Sequence, residues 1–80
     1  MNDIKISKDC YVPKDNVSFY VSYQGNVIKR EVQSAKSKGK IFDCTYGHKT
    51  ESVIFLKDGI LILTNTSLDT LKKRMDPEPE

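Results

Sequence analysis

Ser52-Val53-Ile54-Phe55-Leu56-Lys57-Asp58-Gly59-Ile60-Leu61-Ile62-Leu63-Thr64 decides the fold. Two short apolar runs flank Asp58-Gly59. Runs of this length, bounded by turn residues, read as strands, here over 52–57 and 60–64. Asp-Gly between strands signals a two-residue hairpin, because the positive φ it requires is cheap for glycine and tolerable for aspartate. Both runs are apolar on both faces, whereas a two-layer domain needs only one apolar face of its sheet. The second face therefore has to meet a helix or another subunit, since a large exposed apolar patch is unusual on a monomer.

Upstream, 40–46 reads as a further strand. Asp43-Cys44-Thr45-Tyr46-Gly47-His48-Lys49-Thr50 is then a strand end, a turn and the approach to the next strand. A helix is expected over 27–38. Ile28, Val32 and Ala35 form its apolar stripe at i, i+4 and i+7. Asn26 is its expected N-cap, and Gly39 closes it in the left-handed conformation. Val17 to Tyr23 is rich in β-branched and aromatic residues and reads as a strand. Strict alternation puts Val17, Phe19, Val21 and Tyr23 on one face. Ile4, Ile6 and Tyr11-Val12 suggest one short strand or two, interrupted at Lys8-Asp9, and Pro13 to Asn16 marks a turn.

Downstream, Leu68 to Met75 is expected to be helical, capped by Thr66 or Ser67, with Leu68, Leu71 and Met75 along one side. Lys72, Lys73 and Arg74 would complement the dipole at its end, a role favoured here over ligand contact. Pro77 and Pro79 stop any helix. The acidic tail 76–80 is expected to be disordered. The order is β-β-α-β-β-β-α, with a split allowed in the first strand. That is an α+β domain over 1–75, with a small, mostly antiparallel sheet and two helices.

Eighty residues make one domain with a marginal core. The net charge is +2, but the last five residues hold three of the eleven acids and no base. The rest is 13 basic against 8 acidic, or +5. Such a body attracts polyanions by a salt-sensitive term. There is no apolar run near the length a membrane span needs and no apolar signal region after Met1, so a cytoplasmic protein is expected. Cys10 and Cys44 do not make a disulfide framework and read as two partly buried, reduced thiols. One histidine and no Cys-x-x-Cys leave a zinc site without its donors, so no metal or cofactor is expected. Cys44 and His48 share a strand face but lie about 13 Å apart in extended chain, a gap that only the turn at Gly47 could shorten to the reach of a nucleophile and its base. No phosphate-cradling loop or paired-carboxylate motif is present. The chain therefore reads as a binding protein rather than an enzyme.

Between Val17 and Arg74 the sequence resembles RemA and its relatives, small bacterial regulators of extracellular-matrix genes. The resemblance rests on Ile28-Lys29-Arg30 opening the helix, Lys38-Gly39 ending it, and Asp43-x-Thr45-Tyr46-Gly47 followed by Thr50. The apolar hairpin and short terminal helix complete it. The first dozen residues match poorly. The resemblance implies a fold like the LytTR DNA-binding domain. It also implies a ring-shaped homo-oligomer that binds double-stranded DNA around its outside and activates biofilm genes. In such a ring, one apolar face of the hairpin would pack internally and the other at a subunit interface.

Lys49 and His48 fall at the family's DNA-contacting positions after Tyr-Gly. Lys14 and Arg30 are added on charge alone. Where the family has Arg-Arg-Thr-Arg, this chain has His48, Lys49, Thr50 and Glu51, and a further family arginine aligns with Asn16. Lysine does not reproduce arginine's bidentate grip on phosphate, and Glu51 would repel the backbone. The alternative implied is an oligomeric protein-interaction subunit of the same fold that has lost DNA binding.

Overall fold

The computed structural model describes residues 3–76. The proposed tail beyond Asp76 lies outside the described residues. The element order is β1 (Asp3–Ser7), β2 (Cys10–Pro13), a 3-10 turn (Lys14–Asn16), β3 (Val17–Ser22), α1 (Gly25–Ser37), β4 (Ile41–Cys44), β5 (Ser52–Leu56), β6 (Leu61–Thr64) and α2 (Leu68–Met75). The fold is α+β as expected, and the first strand does split. Asp9 adopts φ +59°, so the chain reverses at Lys8-Asp9 and β1 pairs antiparallel with β2.

The remaining strands form one sheet in the order β3-β5-β6-β4. The β3–β5 and β5–β6 pairs are antiparallel. The β4–β6 pair is parallel. Parallel strands require a crossover, usually a helix. Here α1 carries the chain from the β3 edge to the β4 edge. The two most apolar strands thus occupy the centre, where both faces are covered.

Val32 and Ala35 of α1 bury Val53, Leu61 and Leu63 on one side. On the other side Ile4, Ile6, Val12, Leu71 and Met75 cover Ile54 and Ile62. The second apolar face is therefore filled within the chain, by the β1–β2 hairpin and α2. It does not by itself require a subunit, because the poorly matching N-terminal residues supply the missing layer.

Local chemistry explains the element boundaries. At the end of α1, Gly39 has φ +68°. Lys40 N donates to Ala35 O (2.9 Å) and Gly39 N to Lys36 O (3.1 Å), the paired bonds of a Schellman motif. Its start differs from expectation: the helix begins at Gly25 with Gln24 at the N-cap and no side-chain cap bond. Ser67 caps α2, accepting from Thr70 N at 3.3 Å.

The Leu56–Ile60 pair that closes the turn between β5 and β6 encloses three residues rather than two. Gly59 N donates to Leu56 O, and Leu56 N to Ile60 O, with Gly59 at φ +90°. This is a turn closed by a left-handed glycine, the common three-residue hairpin. Strict alternation also fails in β3. A bulge between Val17 and Phe19 turns Val17 toward the hairpin side with Tyr20. Phe19 instead stacks on Phe55 at the edge of the α1 side, with ring centroids 4.3 Å apart.

Candidate nucleic-acid interface

The Asp43–Thr50 segment is built around a locked reversal. Asp43 Oδ1 accepts from Thr45 N (2.9 Å) and from Thr45 Oγ1 (2.6 Å). Carboxylates commonly fold back onto the backbone two residues on in this way. Thr45 is buried, and its carbonyl accepts from His48 N at 3.0 Å. Both intervening residues have positive φ, +54° at Tyr46 and +84° at Gly47, the signature of a type I′ turn. Glycine takes this region freely. For Tyr46 it costs on the order of 1 kcal/mol, which the two Asp43 bonds help to offset. The reward is position: Tyr46 projects from the sheet end, more than half exposed.

The two Thr45 bonds, side chain first, hold the Asp43 carboxyl below its ordinary 3.8, with a smaller contribution from Lys36. A depressed folded pKa contributes stability that is present above the unfolded value and lost as the pH falls through the folded one. Acid unfolding of Asp43→Ala is therefore expected to be shallower below pH 3.8 than that of the parent chain. Thermal melts across that range check it. Parallel pH profiles would mean that the turn is not held by Asp43.

The β1–β2 hairpin reaches the same end of the sheet. Thr64 Oγ1 and Thr66 Oγ1 both donate to Ile6 O, at 2.9 and 2.7 Å. Ser7 Oγ donates to Asn65 Oδ1 at 3.1 Å. From α2, Arg74 Nη1 donates to Lys5 O at 3.1 Å. Between the hairpin, the 65–66 loop and the Tyr46 turn lies an open cleft of about 420 Å³, lined by Lys5, Lys8, Asp9, Tyr46, His48 and Arg74 among others. Three permanent cations face one acid across it. Ser7, Asn65 and Thr66 add neutral hydrogen-bonding groups. Such a surface suits a phosphate-bearing ligand.

Of the four residues singled out from sequence, only His48 lines this cleft. Lys49 is the next residue and is exposed. Lys14 lies at the opposite end of the sheet, in the turn whose Asn16 carbonyl accepts from Lys57 N (2.8 Å). That is the end where Val17 pairs with Leu56. Arg30 is exposed on α1, across the sheet from the hairpin. Its neighbour Lys29 lies 5.8 Å from the Tyr23 ring centroid, within cation–π range. Sequence reasoning missed Lys5, Lys8 and Arg74. The first two fell in the poorly matching segment, and Arg74 was read as dipole complementarity. Sixty-nine positions separate Lys5 from Arg74.

The Cys44–His48 pairing weighed from sequence is not made. Cys44 Sγ instead meets Cys10 Sγ at 2.8 Å. Among the described residues, no group of three or more His, Cys, Asp or Glu could hold a metal ion. None of their helices is long and apolar enough to cross a membrane.

A family model described as extracellular matrix regulatory protein A-like, or RemA-like, matches residues 4–75. The chain belongs to the RemA-like family. Its similarity thus extends through the N-terminal hairpin, which the sequence reading had left largely outside. A Finegoldia magna relative, provisionally named a regulatory protein, is 34% identical over 95% of this chain and 92% of its own length. A Bacillus cereus relative with the same kind of name is 37% identical over 75% of this chain and 69% of its own. A Coprothermobacter proteolyticus one is 29% identical over 94% and 71%. These names and the RemA-like description point to a regulatory role.

Proposed function

We propose that this RemA-like protein is a DNA-binding transcriptional regulator of the kind that controls extracellular-matrix genes, acting as a ring-shaped homo-oligomer. The observation that carries the reading is the convergence of Lys5, Lys8, Arg74 and His48 on one cleft, with Lys49 beside it. Backbone phosphates are the polyanion such a cluster would hold. Phosphate contacts position a protein without themselves reading sequence. His48 in the cleft and Lys49 beside it are proposed as backbone contacts. Lys14 and Arg30 are outlying cations whose loss should matter less. A ring would repeat the cluster, so that weak contacts sum through effective concentration.

The case for assembly rests on exposed aromatics rather than on the central strands. Phe19 is 48% exposed at the β3 edge; Phe42 at the β4 edge is 62% exposed. Phe42 shares a groove with Tyr11. Apolar patches on opposite edges suit head-to-tail association, which closes into a ring when the rotation permits.

Light scattering on a size-exclusion column, with and without a long AT-rich duplex at low salt, tests the reading. A discrete oligomer that co-elutes with the duplex is the expected result. Lys49→Ala should weaken binding about fivefold and reduce the salt slope by about 1. Unchanged affinity in that variant would remove Lys49 from the interface. The second reading, a protein-interaction subunit, is favoured by Glu51, Asn16 and His48 at family arginine positions. An intact oligomer that ignores DNA at low salt would select it.

A further inference from the structure

We propose that Cys10 and Cys44 form a peroxide-sensitive dithiol, which closes to an intramolecular disulfide and latches the N-terminal hairpin to the end of β4. The two residues are 34 positions apart and belong to different sheets, yet their sulfurs are 2.8 Å apart. Both are free thiols and half-buried. Both line the groove that runs past Tyr11 and Phe42, which a molecule as small as hydrogen peroxide can enter. Cys10 follows directly on the Lys8-Asp9 turn, and Cys44 directly precedes Thr45 and the left-handed Tyr46. A covalent bond between them would therefore join two walls of the basic cleft.

The chemistry balances with a hydroperoxide as oxidant. The Cys10 sulfur attacks one peroxide oxygen, the O–O bond breaks, and hydroxide leaves Cys10 as a sulfenic acid. The Cys44 sulfur then attacks the Cys10 sulfur. The S–S bond forms, the S–O bond breaks, and the departing hydroxide takes the Cys44 proton as water. The two sulfurs give up two electrons and the peroxide accepts them. The order follows from the environment. Burial first, then the hydrogen bond to Cys10, pushes the Cys44 thiol up to about 12. Cys44 is thereby made slow to react with peroxide itself and takes the second, resolving role. A small thiol reductant reverses the bond by exchange.

The test treats the full chain with hydrogen peroxide and reads intact mass, free thiols and hydrogen exchange. The expected product has lost both thiols and about 2 Da, runs as a single chain without reductant, and reverts with dithiothreitol. Amides of β1 and β2 should exchange roughly tenfold more slowly or better after oxidation, because the hairpin can no longer open away from β4. Cys10→Ser and Cys44→Ser, both conservative in size, should each abolish the mass loss. Disulfide-linked dimers, or gains of about 16 or 32 Da from uncoupled oxidation, would overturn the proposal. So would a disulfide that leaves hairpin exchange unchanged. None of these readouts depends on DNA binding.

Discussion

Replacing Leu71 by alanine is expected to remove about 3 to 4 kcal/mol of stability. The side chain is fully buried. It packs in the cluster that joins Ile4 and Ile6 of β1 to Ile54 and Ile62 of the sheet, with Met75 one turn on. Truncation loses the transfer energy of the missing methyl groups and leaves a cavity that β1 and the sheet cannot fill without moving. A chain of this size has on the order of 4 to 12 kcal/mol in total, so the loss is a large fraction of it. The melting temperature should fall by about 12 °C or more. Leu68→Ala, on the half-exposed edge of the same helix, should cost about a third as much.

The functional consequence is local. α2 delivers Arg74 to Lys5 O and to the basic cleft, so loosening the helix should weaken ligand binding before the domain unfolds. Denaturation at fixed protein concentration checks the prediction, since an assembling protein gains stability by mass action. A loss below about 1 kcal/mol would show that α2 does not seal this side of the core.

DNA affinity is expected to fall about a hundredfold as salt rises from roughly 50 to 200 mM, if about four phosphates are neutralised per bound unit. The estimate follows from counterion release, because each neutralised phosphate contributes close to one unit to the slope of log affinity against log salt. Lys5, Lys8, Arg74 and Lys49 are the four cations proposed. Arg74→Ala and Lys8→Ala should each lower that slope by about 1, and they should do so on any duplex, since backbone contacts carry no base information. Arg74→Lys should restore the charge but not the forked grip, giving partial recovery. A slope unaffected by both alanine variants would move the interface away from the cleft, to the surface carrying Lys14 or Arg30.

The elements themselves were legible in the chain. The Ile28-Val32-Ala35 stripe, the Gly39 closure, the apolar runs around Asp58-Gly59 and the Leu68–Met75 helix are encoded by neighbours a few residues apart. Local periodicity and backbone preference suffice for such features. The Asp43-x-Thr45-Tyr46-Gly47 reversal is of the same kind: its bonds span two and three residues. Even here small shifts escaped. The bulge at Val17/Phe19 depends on the register against β5, which no local pattern specifies.

What covers the second face of the sheet, and which cations meet, were decided only in three dimensions. The apolar strands announced that both faces needed partners. They could not say whether those would come from the same chain, because burial energy depends on area and not on where the covering atoms originate. Folding brought β1 and β2 beneath α2. It thereby set Lys5 beside Arg74 and Cys10 against Cys44, pairs 69 and 34 positions apart. Local sequence determined the strands, the helices and the turn. The long-range packing of the N-terminal hairpin made the cleft and the thiol pair.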